Sequence, residues 1–384
     1  MEFEFTTANR IIFGPGTARQ TGKLARKLGR NALVVTGRAS DRNRFLFQDL
    51  TSHNIEFTML PIPEEPTVAM ISSGADEARK VGCDLVIAIG GGSAIDSGKA
   101  IAALLTNHGR LTDYLEVIGK GKSIREDPAP SIVLPTTAGT GAEVTCNSVL
   151  LSEKPRVKVS MRSPLMLPRV AIVDPELTYS MPPDVTAATG LDAFTQLLEA
   201  FVSISANPMT DAVCREGIKR AAAALERVYI DGSDKTARYD MCLASFFGGL
   251  ALSNAKLGAV HGIAGTLGGM FPSPHGAVCG RLLPAVMEVN IASLKRHMPG
   301  SGSLSRYHEI GQMVASDRRA SAEDGVAWVK KLCERLKMPP LGIYGISEND
   351  FADIIRQSQK ASSMKGNPIR LKNEELHGIL QKVL

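Results

Sequence analysis

Asp192 and Gln196 stand four residues apart in Gly190-Leu-Asp-Ala-Phe-Thr-Gln196, a stretch of helical spacing, so the two side chains share one helix face. Downstream, His261 lies in Val260-His-Gly262 and His275 in Ser273-Pro-His-Gly276, two of only seven histidines in the chain. A carboxylate, an amide oxygen and two imidazoles can converge on one divalent cation and leave a coordination position for a substrate oxygen. A histidine taken singly is more often a hydrogen-bonded core residue, and spacing alone leaves both readings open.

A second group of residues is suited to phosphate. Ile89-Gly-Gly-Gly-Ser93 closes a β-branched run and opens a helical pattern carrying Asp96 and Lys99. Consecutive glycines let the backbone approach a phosphate, and the helix start behind them offers unpaired N–H groups and partial positive charge. A tight strand-to-helix turn also needs glycine, so this loop alone is a weak signal. A further polar loop, Pro135-Thr-Thr-Ala-Gly-Thr-Gly-Ala-Glu143, again follows a short apolar run. Sheets of the α/β kind place ligands at such strand ends, and small hydroxyl residues with glycines suit a dinucleotide.

These loops need strands and helices to hold them. Ala32–Thr36, Ile55–Leu60, Asp84–Ile89 and Ser131–Leu134 read as strands, and Thr17–Leu28, Val68–Lys80 and Ala94–Leu105 as helices. Strands and helices in alternation imply βαβ units and a mostly parallel sheet. Beyond Asp174-Pro175 the character changes. Ala187–Ser203, Asp211–Val228 and Ala237–Ala255 are Ala- and Leu-rich with helical spacing, and no clear strand follows residue 180. Met181-Pro-Pro183 breaks the chain before the first long helix, and Pro299-Gly-Ser-Gly-Ser-Leu304 reads as a connector between helices. The expected architecture is an α/β N-terminal Rossmann-like parallel-sheet domain over 1–180 and an all-α C-terminal domain over 181–384, which carries the metal and substrate residues.

Composition narrows the function classes. At 384 residues, two domains are the better expectation, and 44% hydrophobic with 22% charged residues is ordinary for a globular protein. The net charge of +5 is too dilute to indicate nucleic-acid or membrane binding. Six dispersed cysteines without a C-x-x-C pair argue against a zinc ribbon or disulfide framework and fit a reducing cytoplasm. The acidic start Met-Glu-Phe-Glu-Phe is unlike a signal peptide, and no run of about 18 apolar residues appears. A cytoplasmic protein acting on a small molecule is the resulting expectation.

Gly90-Gly-Gly-Ser-x-x-Asp-x-x-Lys99 and Pro135-Thr-Thr-Ala-Gly-Thr-Gly-x-Glu143 together resemble the signatures of the iron-containing, or group III, alcohol dehydrogenase family. That family is related to the dehydroquinate synthase and glycerol dehydrogenase folds. The likeness extends to Arg10-Ile-Ile-Phe-Gly-Pro-Gly16, to Val173-Asp-Pro-Glu-Leu177 and to the motifs around Asp192, His261 and His275. It implies that Gly91, Gly92 and Ser93 contact the diphosphate and that Asp96 sits near the nicotinamide amide. It further implies that Thr136, Thr137 and Thr140 line the cofactor cleft, that Lys158 meets ribose, and that the chain forms a homodimer or larger assembly. It also raises Asp192, His261 and His275, with Gln196, from a possible to an expected set of ligands for iron(II) or zinc. After the first strand, Thr36-Gly37-Arg38-Ala39-Ser40 lacks the acid that often binds a ribose 2′-hydroxyl. Arg38 and Ser40 can meet a 2′-phosphate instead, which favours NADP(H) over NAD, unless Arg38 is only a solvated loop residue.

Two positions depart from the family pattern. Gln196 stands where an imidazole is usual and is a weaker donor, so metal affinity, metal identity or ligand number should differ. Gly265 stands where another histidine is usual, so a proton-relay group is missing and the pocket should be wider. The resulting expectation is reversible, metal-assisted hydride transfer between NAD(P)H and a small alcohol, aldehyde or ketone. The rivals are a metal-independent reductase of the same fold resembling the maleylacetate reductases, a dehydroquinate synthase-type lyase, and a non-catalytic descendant.

Overall fold

The computed structural model describes residues 2–38 and 40–384, without the side chains of Ser40 and Asp41. Ala39 and the Ser40 hydroxyl therefore lie outside the described residues. The chain divides into two compact units. One comprises Thr6–Thr137 with Gly141–Tyr179, and the other comprises Ser180–Leu384 with Ala138–Thr140 and the start of the chain up to Phe5.

The first unit holds a six-stranded sheet. Its strands are β1 (Ile11–Phe13), β2 (Asn31–Thr36), β3 (Glu56–Pro61), β4 (Leu85–Gly90), β5 (Ser131–Pro135) and β8 (Val170–Val173), in spatial order β1-β8-β5-β4-β2-β3. Every pairing is parallel. The centre is apolar throughout, as a sheet covered on both faces requires: all six residues of β4 and all five of β5 are buried. The edge strand β3 has no buried residue. Helices α1 (Thr21–Ala25), α2 (Arg44–Ser52), α3 (Val68–Lys80), α4 (Gly92–Thr106) and the short α5 (Leu111–Tyr114) connect the strands. Leu24, Leu46 and Leu50 of α1 and α2 join Val34, Ile87, Ile89, Ile132 and Ile172 of the sheet in one core.

Four strands escape the sequence reading. β1 and β8 are too short to show a period. The antiparallel hairpin β6 (Asn147–Glu153) and β7 (Arg156–Arg162) is interrupted by serines and charges. The helix expected over Thr17–Leu28 is shorter, a 3₁₀ turn at Thr17–Gln20 followed by α1. Asp174 explains two of the family-like motifs together. Its carboxylate accepts from Gly16 N at 3.1 Å, Ala18 N at 2.9 Å and Glu176 N at 3.0 Å, fastening the turn after β1 to the end of β8.

The second unit is helical, and among the described residues it contains no strand. Its helices are α6 (Pro183–Val202), α7 (Pro208–Ile230), α8 (Lys235–Ala255), α9 (Ala259–Met270), α10 (His275–His297), α11 (Gly302–Ala315), α12 (Ala322–Arg335), α13 (Phe351–Ser358) and α14 (Asn373–Val383). α6 is the axis, buried almost all round from Gly190 to Val202, and α7, α8 and α10 pack on it. α10 is long and apolar enough to cross a membrane, but 72% of that stretch is buried within the protein, as suits a core helix. Residues 298–301 join α10 to α11, as the glycine- and serine-rich connector predicts.

Candidate functional site

The sheet gathers three of the loops. Thr36 of β2 pairs with Ile89 of β4, and Gly90 of β4 pairs with Pro135 of β5, so Gly37-Arg38, Gly91-Gly92-Ser93 and Thr136-Thr137 follow the carboxyl ends of three adjacent strands. Such an edge is where α/β sheets bind nucleotides. Gly90 has φ +159, and a Cβ there would stand 2.6 Å from the Cβ of Ala94 and 3.3 Å from Gly37 N. Glycine is needed at that point for the backbone to turn. Gly91 caps α4, and a Cβ on it would meet only the Thr137 side chain, at the ordinary distance of 3.5 Å. Gly92 and Ser93 form the first turn of α4, where unpaired N–H groups can receive a phosphate. Arg38 is exposed.

Asp96 and Lys99 act inside this unit. Lys99 is 1% exposed, and its Nζ donates to Ala142 O and Thr145 Oγ1, each at 2.9 Å, and pairs with Asp96 Oδ1 at 2.9 Å. Asp96 Oδ2 accepts from Val149 N at 2.9 Å. The buried ammonium is thus neutralised and hydrogen-bonded, as burial of a charge demands, and it ties α4 to the end of the Pro135–Glu143 loop while Asp96 ties it to the hairpin. Lys158 of β7 is mostly buried and pairs with Glu65 at 2.9 Å. Thr140 belongs to the helical unit, where its carbonyl accepts from Gln196 Nε2 at 3.3 Å.

In the helical unit, Asp192, His261 and His275 come together. His261 Nε2 lies 3.2 Å from Asp192 Oδ1, and His275 Nε2 lies 3.8 Å from the same oxygen. Glycines make this meeting possible. A Cβ on Gly276 would stand 2.1 Å from Ala188 O, and one on Gly280 would stand 2.5 Å from the Leu191 side chain. The two glycines, four residues apart, let the α10 backbone close onto α6 beside Asp192. His261 is placed by the start of α9, a buried helix end whose free N–H groups need acceptors. Glu199 supplies them, accepting from Val260 N at 2.7 Å and His261 N at 3.3 Å, while Asn367 Oδ1 accepts from Ala259 N at 3.1 Å. Glu199 Oε2 also holds His261 Nδ1 at 2.7 Å, which leaves Nε2 turned to Asp192.

Sequence reasoning missed Glu199 and Cys279. Cys279 Sγ lies 3.6 Å from His275 Nε2, and the donor atoms of Asp192, His261, His275 and Cys279 all fall within 4.8 Å of one another. Both residues carry a helical signal: Glu199 is seven residues after Asp192, and Cys279 is four after His275. The described contacts of Gln196 run to Thr140 and Gly248. Its Oε1 is buried without a hydrogen-bond donor, and a Cβ on Gly248 would stand 3.0 Å from it.

The cluster is electrostatically coupled. Burial disfavours the Asp192 carboxylate, but the hydrogen bond from His261 and the charge of His275 hold its pKa below the usual value. Burial disfavours the Cys279 thiolate too, and His275 and His261 more than offset that. Burial likewise works against charge on both imidazoles, yet Cys279 and Asp192 raise each of them. A carboxylate, two imidazoles and a thiol facing one another form a donor set able to hold a divalent cation. His275 is the open side, with its side chain 31% exposed.

Residues 8–175 match the family model described as iron-containing alcohol dehydrogenase, and residues 186–384 match that of the Fe-containing alcohol dehydrogenase family, C-terminal. The chain is 32% identical to a choline dehydrogenase of Bacillus subtilis (strain 168), over 99% of its own length and 94% of the relative's. It superposes on the crystal structure of a 1,3-propanediol oxidoreductase with a TM-score of 0.93 and 30% identity, covering 100% of both chains. It also superposes on a sulfoacetaldehyde reductase from Bifidobacterium kashiwanohense, solved in complex with NAD+. That match has a TM-score of 0.88 and 28% identity, and covers 100% of this chain and 99% of the other.

Proposed function

From the premise that the chain belongs to the iron-containing alcohol dehydrogenase family, and is thus an oxidoreductase acting on alcohols, we propose a metal-assisted reaction of a small alcohol or its carbonyl product with NADP(H). The observation that carries the metal-assisted reading is the convergence of Asp192, His261 and His275 on a common space in the core of the helical unit. A divalent cation held there supplies Lewis acidity toward a substrate oxygen. The nicotinamide supplies the hydride acceptor or donor.

The residues of the chain do the rest. Glu199 keeps the Nδ1 proton of His261 on the far side of the ring, so Nε2 faces the donor cluster. Asp192, flanked by two imidazoles, contributes the negative charge. Gly91, Gly92 and Ser93 offer α4's free N–H groups to the diphosphate, with Thr136 and Thr137 beside them, and Lys158 would meet ribose in exchange for its partner Glu65. One turn after His261, a Cβ on Gly265 would meet nothing within 4 Å. Space there suits a substrate bulkier than the shortest alcohols, and position 265 itself offers no imidazole to relay a proton. The three relatives named act, by name, on choline, a propanediol and sulfoacetaldehyde, so the substrate of this chain must be read from its own pocket.

Elemental analysis of the purified protein, with alcohol-dependent reduction of NADP+ and NAD+ before and after chelation, tests this reading. One divalent metal per chain and loss of turnover on its removal are expected. Full turnover in metal-stripped protein would replace it with a metal-independent reductase of the same fold.

A further inference from the structure

We propose that the thiolate of Cys279, and not the amide of Gln196, is the fourth protein donor of this metal centre, giving an Asp192–His261–His275–Cys279 site suited to zinc or a similarly thiophilic cation. The proposal rests on the metal-assisted reading above and identifies which atoms would hold the cation.

Separation of the donors is the first argument. Around a tetrahedral cation with bonds of about 2.0–2.2 Å to nitrogen and oxygen and about 2.3 Å to sulfur, nitrogen and oxygen donors stand about 3.3–3.5 Å apart and sulfur about 3.5–3.6 Å from nitrogen. Here the separations are 3.2 Å for His261 Nε2 to Asp192 Oδ1, 3.8 Å for His275 Nε2 to the same oxygen, and 3.6 Å for Cys279 Sγ to His275 Nε2. Hydrogen bonds explain the first and the last of these but not the second. His275 and Asp192 are too far apart to hydrogen-bond, yet the half-buried imidazole faces the buried carboxylate at 3.8 Å.

Position is the second. His275 and Cys279 share one face of α10, and Gly276 and Gly280, each one residue further on, hold that helix against α6. The glycine pair that delivers the imidazole therefore delivers the sulfur as well.

Charge is the third. Cys279 and Asp192 are buried, and a divalent cation with one carboxylate, two neutral imidazoles and a neutral amide keeps a net positive charge in that interior. A thiolate in place of the amide cancels it. The metal–sulfur bond forms as the thiol proton leaves to solvent. Gln196, meanwhile, donates its amide nitrogen to Thr140 O at 3.3 Å, and its oxygen, buried without a donor, lies beside the open Cα of Gly248.

Cobalt(II) loaded into the full-length protein reports sulfur ligation directly. The native chain should show visible d–d bands together with a near-ultraviolet sulfur-to-cobalt charge-transfer band. Cys279→Ser and Cys279→Ala should lose the near-ultraviolet band, while Gln196→Ala keeps it; circular dichroism and nucleotide binding verify that each variant is folded. Zinc-edge X-ray absorption of the native protein needs no variant, and one sulfur scatterer at about 2.3 Å is expected. Bound cobalt without the charge-transfer band, or a band that survives loss of Cys279, overturns the thiolate assignment alone. Failure to retain any cobalt or zinc overturns both this assignment and the metal-assisted reading beneath it.

Discussion

Glu199 Oε2 lies 2.7 Å from His261 Nδ1, and the same carboxylate caps the buried start of α9 through Val260 N and His261 N. One acid therefore fixes both the position of the helix and the rotation of the ring. Partners of this kind typically set metal affinity by about 10–100-fold. Glu199→Ala should weaken zinc binding by a factor in that range, read by competition with a chromophoric chelator, while nucleotide affinity in the other unit stays the same. Unchanged zinc affinity in a folded variant would reduce Glu199 to a helix cap.

The contact of α10 with α6 sets a second expectation. A methyl on Gly276 would have to share space with Ala188 O, 2.1 Å from the Cβ position, and backbone cannot rotate away. Gly276→Ala should cost about 1–3 kcal/mol, the usual penalty for overpacking, and lower the thermal midpoint. Gly265→Ala makes the contrast, because its Cβ meets nothing within 4 Å and the fold should not suffer. Equal midpoints for the two variants would show that α10 is free to move off α6.

Much of this was legible in the sequence because the residues concerned sit in regular elements. β4 and β5 are continuous apolar runs ending in glycine-rich loops, and α3 spans Val68–Lys80 as its periodicity predicts. Spacing leaves Asp192, His261 and His275 open as ligands and the family resemblance singles them out; the fold then brings the three side chains together. Cys279 and Glu199 were not, since their roles depend on which face of α10 meets α6 and on the buried end of α9, both decided by packing at long sequence separation. Gln196 is expected as a ligand from its place one turn after Asp192 and from the family resemblance. Its contacts with Thr140 and Gly248 arise from a loop 56 residues earlier and from α8, and no local pattern announces them. Lys99 belonged to a recognisable motif, but its burial against Ala142 and Thr145 required the fold.

Glu143, 2% exposed, should leave a mark on stability. Burial raises its pKa from 4.5 to about 7, with the charge of nearby Lys99 opposing the shift, and Lys99 is itself paired with Asp96. An acid whose pKa is raised on folding contributes stability that is fully present below the unfolded value and is lost as pH rises through the folded one. The window is therefore pH 4.5 to about 7, where the native chain loses up to about 3 kcal/mol relative to Glu143→Gln. Unfolding of both proteins in urea at pH 5 and pH 8 measures it. A stability difference that is the same at both pH values would show that Glu143 stays ionised in the fold.

Cofactor choice turns on Gly37 and Arg38. Gly37 follows β2 at the carboxyl edge of the sheet, next to Gly90, and a side chain on it would meet nothing within 4 Å. An aspartate fits there sterically, so the consequence of adding one is electrostatic. A carboxylate at this point would accept from a ribose 2′-hydroxyl and repel a 2′-phosphate, while the exposed Arg38 can pair with the phosphate. A charge-assisted contact of about 1.5–3 kcal/mol corresponds to about 10–100-fold in affinity. The native protein should thus bind NADPH more tightly than NADH by a factor of that order, and Arg38→Ala should bring the two together by weakening NADPH alone. Gly37→Asp should reverse the order. Fluorescence titration of both nucleotides against the three proteins, at one fixed salt concentration because the contact is ionic, decides the matter. Equal dissociation constants in the native chain, or an Arg38→Ala variant that weakens NADH as much as NADPH, would mean that Arg38 is only a solvated loop residue and that the Gly37 site does not select the cofactor.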